Sequence, residues 1–191
     1  MTTLALFGTS ADPPTVGHQQ ILGWLGDYYD NVAAWAADNP FKQHGTPLHH
    51  RMAMLSAAIQ DLPNGGNIGV YPELSHRFTR VTVDRACDRW PDAQITLTIG
   101  SDLVEQLPKW YQIDELFQRV NLLVIPRPSY GILAAQLEHL KSLGARVTVA
   151  NLTGLAVSST VYRDGGDRSA LPPSVVRYIQ QEKLYLCQNA S

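Results

Sequence analysis

The sequence predicts an α/β fold built on a doubly wound parallel sheet. Three observations lead there. Short apolar runs alternate with helical patterns along all 191 residues. The runs are continuously apolar and bounded by turn residues, which suits strands covered on both faces. The stretches between them place apolar residues at helical spacing, so that each strand can cross over through a helix to a parallel neighbour in the usual right-handed sense.

Taken in order, the runs are residues 4–7, 32–36, 68–71, 95–99, 120–125 and 147–150. Helical spacing shows at Ile21, Leu22 and Leu25, then at Met52, Leu55 and Ile59, then at Val83, Cys87 and Trp90. The Pro/Gly-rich stretches 62–67 and 163–167 read as surface turns. In a sheet of this kind ligands bind beyond the carboxyl ends of the strands, so the loops after strands hold the functional information.

Hydrophobic residues make up 45% and charged residues 17%, a globular composition that makes 1–191 one domain with room for a core. A formal net charge of −2 leaves no whole-chain footprint for a nucleic-acid backbone. Cys87 and Cys187 form no C-x-x-C pair and read as reduced packing residues. The apolar start, residues 4–7, stops at Gly8, too short for a signal peptide or a membrane span. The expectation is a cytoplasmic protein with neither membrane nor nucleic acid as partner. No P-loop and no full G-x-G-x-x-G occurs, so any phosphate must be held by another device.

The first strand ends in Phe7-Gly8-Thr9-Ser10-Ala11-Asp12-Pro13-Pro14-Thr15-Val16-Gly17-His18 and runs into the helical pattern of 19–25. A strand that breaks at glycine, turns, and starts a helix aims backbone N–H groups at whatever lies above the strand ends. Gly8 would let the backbone approach a ligand closely. Thr15 and His18 have two readings: an N-cap with a solvent-facing helix residue, or two donors to a phosphate oxygen. Near the far end stands Ala156-Val157-Ser158-Ser159-Thr160-Val161-Tyr162-Arg163. Its hydroxyl residues can cap a short helix, and Arg163 follows Ser159 by one turn, either as a surface arginine or as a grip on phosphates.

The first segment resembles the Gly-Gly-Thr-Phe-Asp-Pro-x-His-x-Gly-His signature of the nucleotidyltransferase superfamily. Gly8, Asp12, Pro13, Gly17 and His18 match it, while Thr9, Ala11 and Thr15 depart from it. The second segment resembles the superfamily's Ile-Ser-Ser-Thr-x-Ile-Arg. Between them, Ile99-Gly100-Ser101-Asp102, then Pro108-Lys109-Trp110-Tyr111, then a strand and Arg127-Pro128 resemble the nicotinate mononucleotide adenylyltransferase family specifically. Arg77-Phe78-Thr79-Arg80-Val81-Thr82 is similar to that family's Ser-Tyr-Thr-x-x-Thr, and Asn39-Pro40-Phe41-Lys42 stands where it has a Pro-rich loop with a phosphate-facing lysine or histidine; either is also readable as ordinary loop.

The resemblance implies a Rossmann-like nucleotidyltransferase fold and transfer of AMP from ATP to nicotinate mononucleotide, with release of pyrophosphate. It implies that Thr15, His18 and Arg163 are catalytic. It further implies that Gly8, Thr9, Ser10, Gly17, Gly100, Asp102, Arg127, Ser158, Ser159 and Thr160 contribute to holding ATP, with Asp102 at the ribose. Lys42, Thr79, Trp110 and Tyr111 would hold the mononucleotide, with the indole stacked on the pyridine ring. Mg²⁺ would arrive with ATP, because no H-E-x-x-H or carboxylate cluster suggests a protein-borne metal. A homo-oligomer is possible. Rivals are a related adenylyl- or cytidylyltransferase and a non-catalytic nucleotide sensor; a dinucleotide-dependent oxidoreductase lacks its glycine fingerprint.

Overall fold

The computed structural model describes residues 1–38, 44–128 and 130–185. Six strands alternate with helices: β1 (Thr2–Thr9), α1 (Val16–Tyr28), β2 (Asn31–Ala36), α2 (Leu48–Gln60), β3 (Ile68–Val70), α3 (Thr79–Arg89), β4 (Ala93–Gly100), α4 (Ile113–Arg119), β5 (Asn121–Ile125), α5 (Ala134–Ser142) and β6 (Arg146–Val149). Two further helices follow, α6 (Ser159–Gly165) and α7 (Pro173–Gln181).

All six strands are parallel and lie in the order β3-β2-β1-β4-β5-β6. The chain starts at the centre, steps outward through β2 and β3, then returns to place β4 on the other side of β1. Strand order therefore reverses between β1 and β4, and the crevice beyond their carboxyl ends is where such sheets bind ligands. The two halves are wound oppositely by the same right-handed crossover. Thus α1 packs with α2 and β2, and α3 with α4 beyond the reversal.

Leu4, Ala5 and Leu6 on β1 and Leu122, Val124 and Ile125 on β5 are almost completely buried, as continuous apolar runs require. The last run behaves differently. β6 is an edge strand covered on one side only, so Arg146, Thr148 and Val149 are exposed. A run of four apolar-leaning residues does not by itself distinguish an edge from an interior strand.

A second, smaller core joins Met54 and Ala58 of α2 to Tyr162 of α6 and to Val175 and Ile179 of α7. α2 is thus buried on two sides, because Met52 and Leu55 face the sheet. α7 is pinned to the end of α2 by Ser174, whose N–H donates to Asp61 Oδ2 at 3.0 Å and whose hydroxyl donates to the Ala57 carbonyl at 2.8 Å. The stretch 163–167, read as a surface turn, is helical through Gly165; the turn is confined to Gly166, which takes φ +69° at the end of α6. Cys87 is half-buried against the main core, and Cys187 lies outside the described residues. Among the described residues no helix is long and apolar enough to cross a membrane.

Candidate active site

The loop after β1 is held from within. Gly8 lies beside Trp35 of β2, and a Cβ built on it would stand 2.5 Å from the indole Cζ2. The glycine therefore makes room for a buried tryptophan, a tertiary reason different from the close ligand approach expected from sequence. Ala11 is fully buried in the left-handed region at φ +49°, an uncommon conformation for a residue with a Cβ, and the Asp12–Pro13 peptide is cis.

Thr15 is the N-cap of α1, and His18 is its third helical residue. The His18 Nδ1 accepts the Thr15 backbone N–H at 3.0 Å and lies 2.9 Å from Thr15 Oγ1. A backbone N–H can only donate, so Nδ1 must be unprotonated and the ring proton sits on Nε2. Burial lowers the His18 pKa from 6.5 to about 4, with the Arg127 charge adding to the effect. The imidazole is neutral and carries one outward donor. Thr15 is 1% exposed and its hydroxyl is taken up by the imidazole. It is thereby placed to orient the His18 ring.

The second motif closes onto the first. Ser159 Oγ donates to the Pro13 carbonyl at 2.8 Å, and Arg163 Nη1 donates to the Asp12 carbonyl at 2.5 Å. Gly17 admits this approach, since a Cβ there would meet Val157 at 2.9 Å. Ser158 caps α6 by accepting the Val161 N–H at 3.1 Å, and Thr160 Oγ1 accepts from Arg163 Nη2 at 3.3 Å. Ser158 and Thr160 thus serve the helix and the arginine within α6.

At the end of β4, Asp102 folds back over Gly100, where a Cβ would collide with its Oδ1. The carboxylate pairs with Arg127 Nε at 3.3 Å. Ser101 ties β4 to the segment after β5, accepting the Arg127 N–H at 2.9 Å and donating to the Tyr130 carbonyl at 2.8 Å. Asp102 and Arg127 accordingly form one half-exposed pair after β4 and β5, while Thr9 ends the neighbouring β1 and Ser10 follows it.

Trp110 ends a 3₁₀ turn at Leu107–Lys109 and is half-buried against the core, with Tyr111 beside it and 52% exposed. The Tyr111 ring packs on Phe78 at 4.6 Å between centroids, and the Arg77 guanidinium lies 4.6 Å from the Phe78 centroid. Thr79 is the first residue of α3. Ion pairs of Arg80 with Glu115 at 3.0 Å and of Arg119 with Asp84 at 3.2 Å fasten α3 to α4, and Asp84 also pairs with Arg80 within α3. Phe78, next to Thr79, and Tyr111, next to Trp110, thus join the start of α3 to the segment after β4. Lys42 lies outside the described residues.

Sequence reading missed Arg51, Thr46 and Tyr185. Arg51 on α2 is 2% exposed and donates through Nη1 to the Ser10 carbonyl at 3.0 Å and the Ala37 carbonyl at 2.7 Å, bracing the ends of β1 and β2. Burial lowers its pKa, while Asp12 and Asp38 act in the opposite direction. Its signal was available: an arginine four residues before Leu55 and next to Met52, on the apolar side of the helix. Arg51, Arg127 and Arg163 thus gather around the β1 loop, together with the carboxylates of Asp12 and Asp102. Among the described residues no group of three or more His, Cys, Asp or Glu side chains could hold a metal ion.

A profile of the cytidylyltransferase-like family matches residues 6–165. A protein of Synechocystis sp. described as a probable nicotinate-nucleotide adenylyltransferase is 40% identical, with 95% of this chain and 98% of that one covered. The nicotinate-nucleotide adenylyltransferase of Bacillus subtilis is 29% identical over 97% of this chain and 99% of its own. Among solved structures, the nicotinic acid mononucleotide adenylyltransferase of Plasmodium falciparum complexed with NaAD superposes with a TM-score of 0.81 at 18% identity, covering 97% of this chain and 98% of that one, which shows a shared fold.

Proposed function

The chain belongs to the cytidylyltransferase-like family and, within it, with the nicotinate-nucleotide adenylyltransferases, and on that premise we propose that it transfers the AMP moiety of ATP to nicotinate mononucleotide, as one nucleotidyltransferase domain over 1–191. The observation that supports this best is the closure of the second motif onto the first. It places a neutral imidazole donor and Arg163 beside one loop, with Arg51 behind it.

A phosphate oxygen of the mononucleotide attacks the α-phosphorus of ATP. One P–O bond forms, the bond to the β-phosphate oxygen breaks, and pyrophosphate leaves with the electron pair. The nucleophile is already an anion, so positioning and charge neutralisation accomplish most of the catalysis. His18 Nε2–H donates to a phosphate oxygen where charge grows in the transition state, with Thr15 holding the ring. Arg163 grips the departing phosphates, with Ser158, Ser159 and Thr160 supporting it. The backbone of Gly8, Thr9, Ser10 and Gly17 forms the phosphate cradle. Gly100 keeps the space into which Asp102 folds, and Asp102 accepts from the ATP ribose hydroxyls with Arg127 beside it. Trp110, Tyr111 and Thr79 hold the nicotinate, and the family resemblance assigns Lys42 to its phosphate. Magnesium enters with ATP, as part of the substrate.

The test incubates the purified full-length chain with ATP, Mg²⁺ and a panel of acceptors, following pyrophosphate and the product mass. Nicotinate mononucleotide should give the dinucleotide faster than pantetheine phosphate or flavin mononucleotide, and ATP should outperform CTP. ATP binding without turnover of any acceptor would make the chain a nucleotide sensor instead.

Trp110→Ala should raise the KM for the mononucleotide roughly ten- to a hundredfold and leave the KM for ATP within about twofold, because stacking on an aromatic ring is worth about 1–3 kcal/mol. Since Trp110 also packs against the core, Trp110→Phe serves as the control; it should retain most of the affinity. A selective loss of ATP affinity in the alanine variant would assign the indole to adenine.

A further inference from the structure

The Asp12 carboxylate, 1% exposed, takes hydrogen bonds from two distant parts of the chain. Oδ1 accepts the Tyr185 hydroxyl at 2.6 Å and the Thr46 hydroxyl at 2.9 Å. Oδ2 accepts the Gly45 N–H at 2.5 Å. The Arg163 Nη1 approaches that same oxygen only to 4.0 Å, because its short hydrogen bond goes to the backbone carbonyl of Asp12. Gly45 fills the space between them: a Cβ on it would meet Tyr185 at 3.2 Å and Arg163 Cδ at 3.4 Å.

Tyr185 reaches this point by a built turn. Beyond α7 the chain reverses through left-handed residues Lys183 and Tyr185, and the Leu184 N–H closes onto the Ile179 carbonyl at 3.0 Å. The Tyr185 ring then meets Tyr162, the residue before Arg163, edge-on at 5.9 Å. Burial and the bond to Asp12 push the Tyr185 pKa well above its ordinary value, so the hydroxyl remains a donor.

We propose that Tyr185 is a positioning residue for ATP, acting through Asp12 on Arg163. A buried carboxylate deprived of one donor recruits another; His44 Nδ1 at 3.8 Å and Arg163 Nη1 at 4.0 Å both flank Oδ2, and of the two only arginine carries a permanent charge. With both hydroxyls on Oδ1 the carboxylate is satisfied, and Arg163 stays on the carbonyl with its remaining donors available to phosphate. Without the Tyr185 hydroxyl the guanidinium closes from 4.0 Å into a direct ion pair with Asp12 and is lost to the substrate. The C-terminal turn thus sets the strength with which the site grips the leaving phosphates. This inference rests on the adenylyltransferase reading only in that ATP is the ligand.

The experiment compares Tyr185→Phe with the wild-type chain in two backgrounds. Phenylalanine keeps the ring against Tyr162, so the melting temperature without ligand should stay within a few degrees. ATP affinity, read from the ATP-dependent rise in melting temperature, should fall about tenfold, and kcat/KM for ATP should fall with it, while the mononucleotide Kd is unchanged. In an Arg163→Ala background the same substitution should change ATP affinity by less than about twofold, because the residue it protects is gone. Thr46→Val, removing the other donor to Oδ1, should act in the same direction. ATP affinity within twofold of wild type for Tyr185→Phe, or an equal loss in both backgrounds, would overturn the proposal. ATP binding that follows this pattern in a chain that fails to use nicotinate mononucleotide would instead overturn only the functional reading.

Discussion

His18→Ala should lower kcat by about a hundred- to a thousandfold, the usual cost of losing one preorganised donor to a transition-state oxyanion. The geometry makes the donor specific. Nδ1 is occupied by the Thr15 N–H and hydroxyl, leaving Nε2–H as the only ring proton. Its pKa is lowered to about 4 by burial and then by Arg127, so at neutral pH the ring donates without bearing charge. The same shift has a stability consequence with a definite sign. An unfolded histidine protonates near 6.5, so the folded state is favoured in full above that pH, and this contribution is lost as pH falls from 6.5 through about 4. An NMR titration of the free protein should show the His18 ring as the Nε2–H tautomer, moving near pH 4. Alanine also removes the partner of the Thr15 N–H, costing about 1 kcal/mol of helix capping. His18→Gln separates the two effects, because glutamine at this helical position can still accept that N–H. It should restore stability without restoring the rate. An alanine variant that turns over within a few-fold of wild type would remove His18 from the chemistry.

The two motifs and the sheet were legible because each is local: six apolar runs, a strand–turn–helix, and three hydroxyls ahead of an arginine. What they do to one another was not. Thr15 was readable as a cap or a phosphate donor, and only burial decides that its hydroxyl goes to His18. Gly8 looked like a point of ligand approach; the tryptophan that fills the missing Cβ arrives from β2, through strand register. Phe78, a departure from the family pattern, turns out to be the surface on which Tyr111 packs. Tyr185 meets Asp12 across 173 residues of chain, and no local pattern marks it. Arg51 is the intermediate case. A charge in the middle of an apolar stripe is visible in the sequence, although its partners, two carbonyls at strand ends, are not.

The acid, nicotinate mononucleotide, should be used at least about a hundredfold better than the amide, measured as kcat/KM. The substrates differ at one exocyclic group, where a carboxylate only accepts hydrogen bonds and an amide must also donate. α3 begins at Thr79 with no side-chain cap on Phe78, so the helix presents its first N–H groups and the positive end of its dipole there. A carboxylate answers both. An amide set in the same place turns its NH₂ toward a donor, and a mispaired polar group in a closed site costs enough for discrimination of this size. Other cations nearby are committed elsewhere. Arg80 is buried and held by Asp84 and Glu115, and Arg77 lies over the Phe78 ring at the surface. Arg77→Ala should therefore leave the acid-to-amide ratio within about threefold, since the donors are backbone groups. Trp110 cannot create the preference, because both rings present it the same face. The measurement is kcat/KM for each mononucleotide at saturating ATP. A ratio near one, or in favour of the amide, would overturn the acid assignment and leave the transfer of AMP intact. A ratio that collapses in Arg77→Ala would move the recognition from the start of α3 to that guanidinium.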